Sequence, residues 1–223
     1  MISKEPTLLL VLTALGLISL PVLAANQTPD AQATFEDCGS IQNSYGPWDY
    51  TNPMHFAEKL PIVENYHFNA NVETLTKGMS SVWVGSDIDY TLRAFPNHPR
   101  ALNAMGNLAL RHSDMRVPPG ANWSGDCYFQ RALKFKPDDP TVKMIYGTFL
   151  ARQQKMNAAK DQFEQAVALQ PQSAEAHYNL GLVYEKLGND QLALDHAKTA
   201  YSLGFPLHGL RAILERKGVW KTD

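Results

Sequence analysis

Four residue types in the second half of this chain return at one interval. Gly147 and Gly181 stand 34 residues apart, as do Ala159 and Ala193, Phe129 and Phe163, and Pro137 and Pro171. Ala132, Ala166 and Ala200 carry the same spacing through a second step. A fixed period shared by unrelated side chains means a stack of like units, and it decides the fold before any other signal. Each recurring position has a mechanical reason. Two antiparallel helices approach closely only where side chains are small, which suits Gly147 and Gly181 on one helix and Ala159 and Ala193 on the other. Ala166 and Ala200 serve the contact with the next unit, while Tyr146, Phe163, Leu180 and Tyr184 fill the spaces between. Pro171 stops a helix, because proline cannot continue one. Asp139 is placed to cap the following helix with Pro140 at its first position, and Ser173 does the equivalent for the next.

These residues resemble the tetratricopeptide-repeat family, whose units are 34-residue helix–turn–helix hairpins. The resemblance implies an all-α fold, a right-handed superhelix of about three hairpins. The units fall at residues 99–139, 140–173 and 174–206. The first is irregular: Gly106 to Gly147 spans 41 residues, so seven extra residues enter it. Met115 to Asn122 holds them, since Pro118-Pro119-Gly120 cannot be helical. Residues 207–223 complete the array, with a capping helix from Leu207 to Lys217 that ends at Gly218. Arg211, Glu215, Arg216 and Lys217 give that helix the polar outer face an array end needs.

Residues 1–24 read as a secretory signal peptide. Lys4 precedes an uncharged apolar run from Leu8 to Leu20, Pro21 breaks it, and Val22-Leu23-Ala24 offers a cleavage site. The alternative is a retained anchor, for which the run falls short of the ~20 apolar residues a span requires. Export then sets the chemistry of the only two cysteines, Cys38 and Cys127. An oxidising compartment favours a bridge between them; the alternative is two buried thiols.

Residues 25–98 show no repeat. They carry nine acidic and three basic side chains, against twelve acidic and sixteen basic over residues 99–223. Tyr45 to Tyr50, followed by Asn52-Pro53, reads as a turn-rich aromatic loop. Short helices are expected over Leu60–Tyr66 and Val72–Leu75, and a longer one from Asp87 to Phe95, stopped by Pro96. Tyr45–Tyr50, Val63–Phe68 and Asp89–Leu102 together look like secreted tetratricopeptide-repeat proteins of Gram-negative bacteria. That likeness implies a periplasmic location and no particular activity. The opposite charges raise a sharper expectation: the acidic, aromatic segment lies in the groove of the basic half, either completing the fold or masking a binding surface.

The superhelix of the family puts the first helix of each hairpin on the concave face. Its outward positions are Arg100, Asn103, Asn107 and Arg111 in the first unit. They are Met144, Thr148 and Arg152 in the second, with Thr141 and Ile145 beside them. In the third they are Tyr178, Asn179, Leu182 and Lys186, with Glu175. Asparagine amides bond both donors and acceptors of a backbone, and Met144, Tyr178 and Leu182 offer apolar pockets. The arginines and Lys186 bias the groove toward acidic segments. The expected partner is another polypeptide.

Other chemistries lack their residues. There is no Gly-rich phosphate loop, GxSxG elbow or HExxH pair, and the seven histidines are scattered without metal-ligand spacing. His177 sits at a packing position, and His98, before Pro99, at a helix start. Near-neutral charge argues against nucleic acid. No catalytic residue, metal or cofactor is expected. The expected function is a periplasmic scaffold or adaptor in envelope assembly, secretion or polysaccharide export. The alternative is a glycan or small-molecule binder using Trp48, Tyr45 and Tyr50.

Overall fold

Eleven α-helices and no strands make up the described residues, 38–221, of a computed structural model, and all belong to one compact unit. The expected signal peptide lies outside them. Helices α1 (Pro53–Glu58), α2 (Leu60–His67), α3 (Ala70–Glu73) and α4 (Val84–Ala94) form the amino-terminal part. Three hairpins follow: α5 (Pro99–Arg111) with α6 (Gly125–Phe135), α7 (Pro140–Arg152) with α8 (Met156–Leu169), and α9 (Ala174–Lys186) with α10 (Asp190–Ser202). Helix α11 (Gly209–Arg216) closes the array and ends at Gly218, whose φ is 70°.

Each hairpin starts on a cap that satisfies amides left open at a helix end. Asp139 accepts from the amides of Thr141 and Val142, and Ser173 from that of Ala176. His98 caps α5 through Nδ1, 3.2 Å from the Ala101 amide, with Pro99 at the first helical position. Asn52-Pro53, expected as a turn, instead opens α1, because Asn52 Oδ1 accepts from the amides of Met54 and His55. The short helix expected over Val72–Leu75 sits two residues earlier. Asn69 caps it, and Leu75, at φ 59°, lies outside it.

The period is a packing code. A β-carbon on Gly147 would stand 2.8 Å from the Phe163 ring, and one on Gly181 would stand 2.6 Å from Leu210. Ala159, Ala193 and Ala200 are fully buried at the matching contacts. Between the first two hairpins Phe129 stacks on Tyr146 and Phe149, with ring centroids 4.8 and 5.0 Å apart. Phe68, Val72 and Leu75 belong to the same continuous core as Leu102 and Met105. The amino-terminal part therefore completes the fold.

Covalent and polar ties reinforce this. Cys38 and Cys127 are bridged across 89 residues. Beside the bridge, buried Arg131 donates through Nη1 to the carbonyls of Cys38 (2.8 Å) and Ser40 (2.7 Å) and lies over the Trp123 ring. Asp49 accepts from Lys136 and Asn97, both at 2.8 Å. Burial opposes ionisation there, yet these donors and Thr51 hold the Asp49 carboxyl down at about 2.

Gly147→Val would drive methyl groups into the Phe163 ring. Stability should fall by about 3 kcal/mol, read as a lower denaturation midpoint with an unchanged slope. The paired change Cys38→Ala, Cys127→Ala should cost about 4 kcal/mol, from the chain entropy restored to the unfolded state. The same measurement checks both.

Candidate peptide-binding groove

Helices α5, α7 and α9 stand side by side as the first helices of their hairpins, with α5 packed on α7 and α7 on α9. Caps at the same place in each unit give them one register, so like positions line up. Two cavities open along this face. One, of about 340 Å³, is lined by Arg100 and Asn103 of α5, Met144, Ile145 and Thr148 of α7, Glu175 of α9, and Glu73. The other, of about 370 Å³, lies between Asn107, Leu110 and Arg111, Arg152 of α7, and Glu73 to Leu75. A narrow crevice floored by Phe129 and Phe149 runs between Asn103, Asn107, Thr148 and Arg152. The expected positions on α5 and α7 are thereby brought together.

Those on α9 separate. Tyr178 is buried and stacked on Phe205 with centroids 4.2 Å apart, so it fills the core where an open pocket was expected. Asn179 and Leu182 are half-buried, and Lys186 is exposed near Glu185. None of the four lines either cavity.

One wall was not anticipated. Glu73, Thr74 and Leu75, from the end of α3, close the groove beside α5. Arg100 donates to Glu73 through both Nε (2.9 Å) and Nη2, and to Glu64 through Nη1 (3.3 Å). Arg111 Nη1 donates to the Leu75 carbonyl at 3.2 Å. The Arg100 hydrogen bonds hold the Glu73 carboxyl below the usual range, and a hydrogen bond from His98 does the same for Glu64. Arg100 is thus neutralised within the chain. Arg152 bonds Asn107, a neutral partner, and keeps its charge available in the second cavity. The available positive charge of this face gathers where Arg111 and Arg152 meet.

The aromatic loop is spent on packing. Trp48 meets His55 and Tyr45 edge-on and carries Lys59 over its ring, while Tyr50 packs on Phe56 and His98. These rings surround a second small core of Leu60, Val63, Ala94 and Phe95. One cluster brings a serine, a histidine and an aspartate together: Ser80 Oγ lies 2.8 Å from His67 Nδ1 and 2.5 Å from Asp87 Oδ1. His67 Nδ1 also faces Asp87, at 3.1 Å. A nucleophilic triad needs one ring nitrogen for the serine and the other for the carboxylate. Here a single nitrogen meets both, so the cluster fastens a loop.

Comparisons with known proteins bear on the family. Models described as TPR repeat and as tetratricopeptide repeat match residues 149–188 and 174–203. Among solved structures, PilF of Pseudomonas aeruginosa is similar with a TM-score of 0.50 and 18% identity, over 71% of this chain and 67% of that one. A crystal structure of MamA is similar with a TM-score of 0.45 and 22% identity, over 61% of this chain and 78% of that one. No curated protein matches. At such identities the likeness to PilF speaks to the fold alone. The matched residues span the end of α7 through α10, where the 34-residue code is most regular, and this part of the chain is built of tetratricopeptide repeats.

Proposed function

We propose that this protein is a non-catalytic scaffold whose groove on α5 and α7 holds an extended, acidic segment of a partner polypeptide. Tetratricopeptide repeats are protein-interaction scaffolds with concave binding faces. The observation that carries the finer reading is the pair of cavities joined by a crevice, in which asparagine amides and Arg152 alternate with Met144 and Ile145. Amides answer a peptide backbone, the apolar side chains take alternate residues, and Arg111 with Arg152 favours a carboxylate. We assign the binding set to Asn103, Asn107, Arg111, Met144, Thr148 and Arg152. Asn179, Leu182 and Lys186 extend it along α9, and Arg100 serves as the anchor of the wall. A glycan or small-molecule site on Trp48 is the weaker reading, because its ring is engaged by His55, Tyr45 and Lys59.

We place the protein outside the cytoplasm, in the periplasm of a Gram-negative cell, serving envelope assembly, secretion or polysaccharide export. The apolar run at Leu8–Leu20 and the Cys38–Cys127 bridge support export. Among the described residues no helix is long and apolar enough to cross a membrane. Fusing residues 1–24 to a reporter that is active only after export should give activity. An inactive fusion would count against this setting.

Binding is tested with short fluorescent peptides of graded acidity. The protein should prefer acidic ones, and Asn107→Ala with Arg152→Ala should weaken them at least about 10-fold. Lys198→Ala, at an exposed position of α10, should leave affinity unchanged. Equal binding by both variants would move the site off this groove. Glu73→Gln should tighten acidic peptides, because it removes a carboxylate from the groove wall and leaves Arg100 only Glu64 as an ionic partner. It should also alter acid sensitivity. Because the Glu73 carboxyl is depressed in the fold, its contribution is present above its ordinary value and lost as pH falls below about 4.5. The fall in stability below that pH should therefore be shallower in Glu73→Gln, as acid titration of the unfolding midpoint will read.

A further inference from the structure

The two ends of the array differ in kind. At the carboxyl end α11 turns Leu210 and Leu214 inward and shows Glu215, Arg216 and Lys217 to solvent, as a finished end should. At the amino end α2 packs on α4 through Leu60 and Val63, and its far side carries Ile62 and Tyr66, one helical turn apart. Tyr66 is 68% exposed. The loop after α3 adds Met79, Val82 at 91% and Trp83 at 58%, while Met54 and Phe56, two residues apart on α1, face different sides of that helix. The other exposed large hydrophobics, Met115, Leu169, Leu192 and Leu207, are scattered.

The loop that presents Val82 and Trp83 is fixed. The buried Asp87 carboxylate accepts from the Met79 amide (2.8 Å), the Ser80 amide (3.2 Å) and the Ser80 hydroxyl. Ser80 Oγ also lies 3.2 Å from the Tyr66 carbonyl, which places the loop against the end of α2. From the other side the insertion of the first hairpin braces it. A β-carbon on Gly85 would stand 2.1 Å from the Pro119 carbonyl oxygen, and one on Gly120, at φ 80°, would meet the Trp83 β-carbon at 2.6 Å. Ser86 Oγ donates to the Gly120 carbonyl. The residues that break the 34-residue period thus hold an apolar tip rigidly in water, and a rigid tip loses little entropy on docking.

Charge decides the occupant. Glu64 and Glu73 turn to His98 and Arg100, and Asp87 is buried, which leaves Glu58, Lys59 and Lys77 as the ions of this layer. That is too few cations to attract anionic lipid headgroups. A face this poor in ions does not repel a copy of itself. Exposures of this size on Ile62, Tyr66, Met79, Val82 and Trp83 amount to roughly 600 Å² of apolar surface, which with a polar rim comes close to the about 800 Å² per partner of a standard interface. We propose that the amino-terminal end of the array is a homodimer interface, with two copies meeting head to head across a two-fold axis. Such an interface pairs one patch with itself.

Sedimentation of the full chain over a wide concentration range tests this. Wild type should be a dimer, and Val82→Asp or Tyr66→Asp should raise its dissociation constant at least about 100-fold. Both side chains are largely in water, so unchanged circular dichroism should accompany the loss. Leu207→Asp, on an exposed side chain before α11, should leave the dimer intact. A wild type that stays monomeric at its highest soluble concentration overturns the proposal, even if this face binds vesicles or another protein. A dimer that survives Val82→Asp overturns it equally.

Discussion

Helix hairpins of this kind cannot bury their apolar faces alone, and the stack of Phe129, Tyr146 and Phe149 is where that debt is met between the first two. Phe129 belongs to the second helix of one hairpin, while Tyr146 and Phe149 belong to the first helix of the next. Phe129 is wholly buried and also lines the bottom of the crevice between the two cavities. The contact that joins the hairpins is therefore also the floor of the groove, and the spacing of Asn103 and Asn107 from Thr148 follows from it. Stacked rings at about 5 Å add directional preference to the area they bury, which keeps α5 and α7 in one register.

The same logic explains the amino-terminal part. Among the described residues no repeat hairpin precedes α5, and Phe68, Val72, Ile88 and Leu92 supply the apolar neighbour for Leu102 and Met105. Because these residues share one core with the repeats, the segment is not displaced without exposing that core. Its acids meet the cations of the other half: Glu64 and Glu73 take Arg100, and Asp49 takes Lys136. These internal pairs offset about half of the opposite net charges of the two parts. Masking of the groove in the displaceable sense is therefore the weaker of the two expectations, and completion of the fold the stronger.

Much of this architecture was legible in the sequence, and the reason is repetition. Gly147 and Gly181, or Ala159 and Ala193, announce themselves because the same contact recurs at one interval. Contacts made once leave no such mark. Nothing local in Glu73 shows that it will meet Arg100, 27 residues away, or in Leu75 that its carbonyl will take Arg111, 36 residues away. Tyr178 occupies an outward position by register, yet Phe205, from the connection into the closing helix, covers it. Asn52-Pro53 suits both a turn and a helix start, and only the amides of Met54 and His55 decide for the helix. The candidate groove was therefore readable as a face and not as a wall, since the wall comes from the part that does not repeat.

The insertion in the first hairpin shows what a broken repeat can signify. Seven added residues need only an enlarged surface turn, which costs little in closure entropy. Here they do more, because Pro119 and Gly120 approach the backbone of Gly85 and Ser86 too closely for any side chain at either glycine. That approach clamps the start of α4, where Trp83 opens the helix without a side-chain cap of its own. With Asp87 holding the preceding turn, the Val82–Trp83 tip is gripped from both sides while remaining in water. A loop selected only for solubility would carry polar residues there and need no grip. The departure from periodicity, the two glycines and the inward-facing carboxylate act on one short segment, so a use for that segment follows more directly from its rigidity than from its hydrophobicity.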